Sequence, residues 1–399
     1  TLVNGVKIRS PDNKYRYVPL DLFPADLLDR LEVYKTLTPN LEGDAIGGAV
    51  NMVMKDAPDQ LQISANIATG YSQIFMDRDY LGYSSNSINH QSPYEQNGKS
   101  YQAKPADFTN GTIDYKNQSL SPNIIGGLSI GNRFFDKKFG AIIAGSYQNT
   151  YRGNNGEFFS SSVVDVDKFA TITSMDSRQY SEQQIRFGLH GKLDYTFNQR
   201  HKLQWYNAYM DLSTLQTRDI VSTNFSSDYD AANGNAQLNY STRSRLSKQG
   251  IFNSTLQGKH ELVNGKLNVS WSAVYSSASN KTPDNTTISL YGLRTNNTDK
   301  ITTVDKSTRR WEHNSDEDKA AYLDLDYKTN VFNTKVVFSI GGLYRDKQRN
   351  NFYNNYELRP VNQNDVYGVD FTDYTQISWN VQNPNGAVAN ALSYDASEK

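Results

Sequence analysis

Most of the chain alternates between apolar and polar positions with a period of two. Ile185, Phe187, Leu189, Leu193, Tyr195 and Phe197 are apolar, and Arg186, His190, Lys192, Asp194, Thr196 and Asn198 fill the positions between them. Leu267, Val269, Trp271, Ala273 and Tyr275 alternate in the same way with Asn268, Ser270, Ser272 and Ser276. So do Ala321, Leu323, Leu325 and Tyr327 with Asp324, Asp326 and Lys328, and Leu61, Ile63, Ala65 and Ile67 with Gln62, Ser64 and Asn66. This period predicts strands with one apolar and one polar face. The first run holds for about thirteen residues. Ordinary strands take about 5–6, and about 9–11 are needed to cross a bilayer at a tilt. Phe139 to Tyr151 reads as a further clean strand, whereas Leu203 to Leu212 and Gly250 to Leu262 lose phase midway.

The connections sharpen the picture. About nine strands are predicted, beginning near Leu61, Leu120, Lys138, Glu182, Lys202, Leu246, Lys266, Asp318 and Lys335. Every second gap is a turn of about two to four residues, such as Asn198-Gln199-Arg200-His201 or Asn264-Gly265. The other gaps read as loops of about 30 to 48 residues, far above the usual median of about 4–6. Short turns at one end and long loops at the other are the asymmetry of an outer-membrane barrel.

Residues 1–57 have another texture, changing near Lys55-Asp56-Ala57-Pro58. Leu2, Val3, Val6 and Ile8 predict a strand interrupted by a turn at Asn4-Gly5. Pro24 opens a short helix through Leu27 and Leu28. Leu31 and Val33 flank Glu32 as in a strand, and Ala49 to Met54 is another apolar segment.

Composition removes competing classes. The chain has 399 residues, 41 basic against 42 acidic, and no cysteine. It therefore has no disulfide or thiolate chemistry, and no global field for nucleic acid. The 37% apolar content includes 27 Tyr, and mean hydropathy is −0.69, which taken alone describes a polar soluble protein. No stretch approaches the roughly 18 apolar residues of a spanning helix.

The N-terminal segments carry a family resemblance. Val3-Asn4-Gly5-Val6, Val18-Pro19-Leu20-Asp21, Phe23-Pro24, Leu27 to Lys35 and Gly43 to Val53, in that order and spacing, resemble the C-terminal half of the plug domain of TonB-dependent outer-membrane receptors. Where the family usually carries a basic-Gly-Pro turn, this chain has Lys35-Thr36-Leu37-Thr38-Pro39. The resemblance implies an all-β transmembrane barrel: part of a 22-stranded antiparallel barrel in residues 58–399, preceded in residues 1–57 by half of a small α/β plug domain. After Phe352 the chain reads as an extracellular segment.

The chemistry expected of this chain is binding rather than catalysis. Gly43 to Gly48 has no following Lys-Ser/Thr, so it reads as turns and close plug-to-wall contacts instead of a phosphate loop. Asp324 and Asp326 lie about 7 Å apart on one strand face, and read as lumen lining rather than a glycosidase pair. The five histidines show no metal-ligand spacing, so neither a metal nor another cofactor is expected. Tyr71, Tyr80, Tyr83, Tyr147 and Tyr151 read as an interfacial girdle. By resemblance, Arg9, Lys14, Tyr15, Arg16 and Tyr17 belong to a plug loop that touches ligand, their cations and flat rings suiting an anionic siderophore or a sugar. Arg30 and Glu32 correspond to an ionic lock between plug and wall, with Arg186, Lys192 and Asp194 as candidate lumen partners.

The function so implied is active import of a scarce nutrient, a ferric siderophore or an oligosaccharide, across the outer membrane of a Gram-negative bacterium. Its partners are the lipid bilayer, the nutrient ligand, the TonB energy-transducing complex acting through a segment absent from this chain, and, for glycan importers, a surface lipoprotein. The alternatives are a passive channel or adhesin, and a secreted soluble glycan-binding β-protein.

Overall fold

The structure, a computed structural model, describes residues 1–8, 10, 23–36, 48–163, 169–225, 231–368 and 371–382. Leu2–Val3 (β1) and Val6–Lys7 (β2) form a hairpin across Asn4-Gly5, whose φ values of 49° and 84° are those a two-residue hairpin turn requires. Leu28–Tyr34 (β3) pairs antiparallel with Ala49–Met54 (β4), and β4 runs parallel to β1, giving a sheet of order β2-β1-β4-β3. Asn51 ties it together: its Oδ1 accepts from the Gly5 N–H at 2.8 Å and its Nδ2 donates to Glu32 at 2.8 Å. The helix expected after Pro24 is a single 3-10 turn, Ala25–Leu27. Pairing of Leu28 with Met54 already commits the next residue to β3, leaving too few residues for an α-helical turn.

The large sheet begins with Gln62–Gly70 (β5). Residues 71–122 follow, containing Ile74–Asp77 (α1), Tyr80–Gly82 (β6), Pro93–Asn97 (α2) and Lys116–Gln118 (β7). Asn123–Phe134 (β8), Phe139–Val163 (β9), Ala170–Asn198 (β10), His201–Asn224 (β11), Ala236–Leu262 (β12), Leu267–Thr295 (β13), Thr298–Val331 (β14) and Thr334–Pro360 (β15) then run in chain order, each antiparallel to the last. Val366–Tyr367 (β16) and Trp379–Gln382 (β17) add short pairings on β14 and β15. Among the described residues the sheet is open, with β5 at one edge, so no closed barrel is formed.

The nine strands starting at β5 match the expected number, but three of the four expected long loops are strand. β10 starts at Ala170 rather than Glu182, β12 at Ala236 rather than Leu246, and β14 at Thr298 rather than Asp318. Of the described connections between these nine strands, residues 71–122 form the one long excursion; β13 and β14 are joined by Asn296-Asn297 alone. Similarly, β15 continues beyond Phe352 to Pro360. In these outer halves polar residues interrupt both faces, including the one packed against residues 71–122, where Thr286 and Arg309 are buried beside Ile288 and Trp311, so the hydropathy contrast fades while the backbone ladder continues. From Tyr195↔Phe139 to Ser174↔Ser160, β9 and β10 pair without a break.

Register sorts the side chains into two faces. Ala141, Leu193, Trp205, Leu256, Ala273, Ala321 and Tyr344 lie side by side across β9 to β15. This outer face is apolar and open: Leu193 is 39% exposed, Trp205 46% and Tyr344 71%. In β10 its apolar run extends from Phe187 to Phe197, the length that spans a bilayer. One residue along, the inner-face row reads Ile142, Lys192, Tyr206, Thr255, Val274, Ala320 and Arg345. Asp324 and Asp326 lie on this inner face, opposite Leu323 and Leu325, as expected of lumen-lining acids.

An arginine placed in the middle of the outer face is expected to cost about 2–4 kcal/mol. Leu193→Arg should therefore lower the denaturant midpoint of the lipid-embedded protein, while Ser64→Arg on the inner face of β5 should change it little. Equal effects of the two substitutions would rule out lipid against the outer face.

Candidate functional site

The inner face is built to hold the N-terminal unit. Val3, Ile8, Phe23, Leu27, Met52 and Met54 share one apolar cluster with Ala144, Tyr206, Ala208, Met210, Leu212, Ile251 and Ala278 of the wall. Each large side chain so buried contributes about 1.5–3 kcal/mol. The phase loss in Leu203 to Leu212 has its cause here: Trp205 and Tyr209 are exposed on the outer face, while Tyr206, Ala208, Met210 and Leu212 are buried on the inner one. Gly188 permits the close approach, since a Cβ there would lie 2.7 Å from Leu27 Cδ1 and 2.8 Å from Pro24 Cγ.

Polar contacts fix the orientation. The Tyr206 hydroxyl donates to the Val3 carbonyl at 3.1 Å, and the buried Lys192 ammonium donates to Asp56. His190, fully buried, places Nε2 3.1 Å from the Lys55 carbonyl, so that nitrogen carries the proton. The wall therefore grips the segment that joins the N-terminal unit to β5.

The residues singled out from sequence fall in different places. Arg9, Lys14, Tyr15, Arg16 and Tyr17 lie outside the described residues, as do Gly43 to Gly47. Arg30 and Glu32 lie on β3, an edge of the small sheet, and bond to each other at 2.8 Å; Arg30 also holds Asp29 at 2.7 Å. The Asp29 bond raises the Arg30 pKa, with Glu32 adding to it. The Glu32 carboxylate is held below its ordinary range by donors from Asn51, then Tyr34 and Arg30. Of the candidate lumen partners, Lys192 meets the N-terminal unit's linker, whereas Asp194 accepts from Arg133 at 2.9 Å within the wall. Arg186 donates to Gln184 at 2.9 Å.

The tyrosines expected in a girdle divide by burial. Tyr71 and Tyr147 are exposed, but Tyr80 and Tyr83 are buried. Residues 71–122 fold back on the sheet and carry those rings inward, so that Tyr80 meets Tyr151 edge-on at 5.6 Å.

Above the apolar band the two faces change roles. The face that carries Leu323 below carries Arg309 and Trp311 above, and there residues 71–122 cover it. Ala103, Phe108 and Ile113 join Ile288, Leu290, Val304, Trp311, Tyr356 and Leu358 in one core. A buried bidentate pair clasps it: Arg309 Nε and Nη2 each lie 2.6 Å from an Asp284 carboxylate oxygen, and Nη1 donates to the Thr109 carbonyl at 2.9 Å. Asp284 sits at a register shift with φ of 46°, and beyond it the even residues of β13 take over the outer face.

The inner face at this height carries arginines that hydropathy reading missed. Arg218 of β11 and Arg243 of β12 are direct cross-strand partners, Arg245 lies two residues along from Arg243, and Arg310 lies on β14. They fall in stretches read as loops. The visible signal was Ser241, Arg243, Arg245 and Ser247 alternating with Tyr240, Thr242, Ser244 and Leu246.

Among solved structures, the chain is similar to the unliganded ferric citrate transporter FecA at 12% identity and a TM-score of 0.25, over 94% of this chain and 55% of that one. It is similar also to BauA, the ferric preacinetobactin receptor from Acinetobacter baumannii, at 9% identity and a TM-score of 0.16, over 79% of this chain and 62% of that one. The resemblance is distant, and the chain spans about half the length of the first of these proteins. No protein-family model matches the chain, and no curated protein does.

The seat of the N-terminal unit is tested by two glycines of β10. Gly188→Val should collide with Leu27 and Pro24, costing about 1–3 kcal/mol and exposing residues 1–57 to protease. Gly191→Val has no atom within 4 Å of its new Cβ and should leave digestion unchanged. Matching digestion patterns in the two variants would contradict the seat.

Proposed function

We propose that the chain forms part of an outer-membrane receptor of a Gram-negative bacterium that binds a scarce nutrient and imports it actively, with residues 1–57 serving as part of the plug. One observation carries this reading: a folded N-terminal body occupies the inner face of a sheet whose opposite face is an exposed apolar band. A passive channel has no use for such a body, and a soluble β-protein has none for such a band. Because the outer membrane holds no nucleotide supply, uphill import on this reading draws on the TonB complex. The protein itself performs no covalent chemistry.

The nutrient classes that fit are a ferric siderophore and an oligosaccharide. Arg9, Lys14, Tyr15, Arg16 and Tyr17 are proposed to meet the ligand at the plug apex, and Arg30 with Glu32 to lock plug to barrel. In a glycan importer, a surface lipoprotein would join the assembly.

The parent protein should require detergent for extraction, migrate differently on gels before and after boiling, and support uptake that a protonophore abolishes. Release as a soluble monomer, or uptake indifferent to the protonophore, would overturn the proposal. Small-solute permeability tests the lock separately. Asp56→Ala, which removes the acceptor of the Lys192 ammonium, should make the pore leak, and Arg30→Ala should do so if its pair holds the plug. A tight Arg30→Ala receptor would leave the lock at Asp56 alone.

A further inference from the structure

The arginines of the upper inner face are arranged as an anion site. In an antiparallel pair, residues directly opposite have Cβ atoms about 4.5–5.5 Å apart, and like charges there repel. Arg218 and Arg243 occupy such a pair. The field at Arg243 is dominated by repulsion from Arg245, Arg218 and Arg310; at Arg245, Glu182 and Glu312 attract and Arg218 repels. Among the described residues, the four guanidinium groups thus face the carboxylates of Glu182 and Glu312.

Contacts among the described residues use little of their donor capacity. Arg243 Nη2 donates to Gln216 Oε1 at 2.6 Å, and Gln216 Nε2 donates onward to Glu182 at 2.8 Å. Arg310 reaches Glu312 at 2.8 Å. The Nε atoms of Arg218, Arg243 and Arg245 are buried and have no hydrogen-bond partner. Removing guanidinium N–H groups from water without a partner is unfavourable, and planar forks of this kind fit carboxylate, phosphate and sulfate oxygens in pairs.

Position favours a ligand of the pore over a lipid headgroup. The cluster is on the face that holds the N-terminal unit, opposite the lipid-side face. It lies about 20 Å farther along β11 than Leu212, where contact with that unit ends. We propose that Arg218, Arg243 and Arg245, with Arg310 beside them, bind a small polyanion through its carboxylate, phosphate or sulfate oxygens, making the imported nutrient an anionic one. This deepens the import reading and rests on it for the step from binding to transport.

The test is calorimetric titration of the intact receptor in detergent with citrate, pyrophosphate and the neutral trisaccharide maltotriose. At least one of the two anions should bind, more weakly as salt rises, and its Kd should increase at least about tenfold in Arg218→Gln/Arg243→Gln. Arg294→Gln, whose arginine is paired with Asp299 at 2.6 Å near the tip of β13 and β14, should bind like wild type. If the double variant does not reach the membrane, Arg243→Lys keeps the charge, loses the fork, and should weaken binding severalfold. Anions that bind no better than maltotriose, or binding that survives these substitutions, would overturn the proposal. Protonophore-sensitive uptake read in parallel separates the two ideas: uptake without anion binding removes the anion site and leaves import, whereas anion binding without uptake does the reverse.

Discussion

The unbroken antiparallel ladder is the constraint on which everything else in this molecule depends. Backbone groups facing hydrocarbon must be satisfied by neighbouring strands, because no water is available to them. Pairing from Phe139 to Tyr344 supplies those bonds and fixes the register. Once register is fixed, a one-residue step exchanges the exposed apolar face for the inner face, so between register shifts a side chain's environment follows from its parity. Leu193 and Lys192 are neighbours in sequence, and one is exposed in the apolar band while the other is buried against Asp56.

β11 shows how the same ladder accommodates the N-terminal unit. β10 alternates cleanly from Ile185 to Phe197 because the inner-face side chains His190, Lys192 and Asp194 are polar although buried, two of them meeting the polar linker at Lys55 and Asp56. β11 meets the apolar core of the N-terminal unit and is apolar on both faces: Trp205 and Tyr209 are exposed outside, with Tyr206, Ala208, Met210 and Leu212 buried inside. The polar contacts beside it, His190 to Lys55 and Lys192 to Asp56, give that apolar contact a defined orientation.

Legibility in the sequence follows from these environments. The strand count, the tight turns and the Asn4-Gly5 hairpin were readable because they depend on local chemistry or on contrast between lipid and water. The loss of phase in Leu203 to Leu212 was visible, and its meaning was not, because it needed a partner more than a hundred residues away. The strand extensions at Ala170, Ala236 and Thr298 were hidden because polar residues such as Thr242, Ser244 and Arg309 are buried among the apolar ones on the covered face, which blurs the hydropathy signal. Buried Tyr80 and Tyr83 were misread as interfacial for a related reason: nothing in residues 71–122 announces that the segment folds back on the sheet.

The extensions also explain why the clasp and the arginines occupy opposite faces of the same strands. A row of like charges tends to push β11 and β12 apart, and cross-strand pairing alone resists it weakly. On the reverse side, Ser244 donates to the Thr112 carbonyl at 2.5 Å, and Arg309 binds Asp284 and Thr109. Those contacts join β12, β13 and β14 through residues 71–122. The charged face is therefore backed by a packed core on the other side, which opposes the repulsion. Donors held in place before a ligand arrives spare it the cost of ordering them. In this molecule that order comes from residues 71–122, packed on the opposite face.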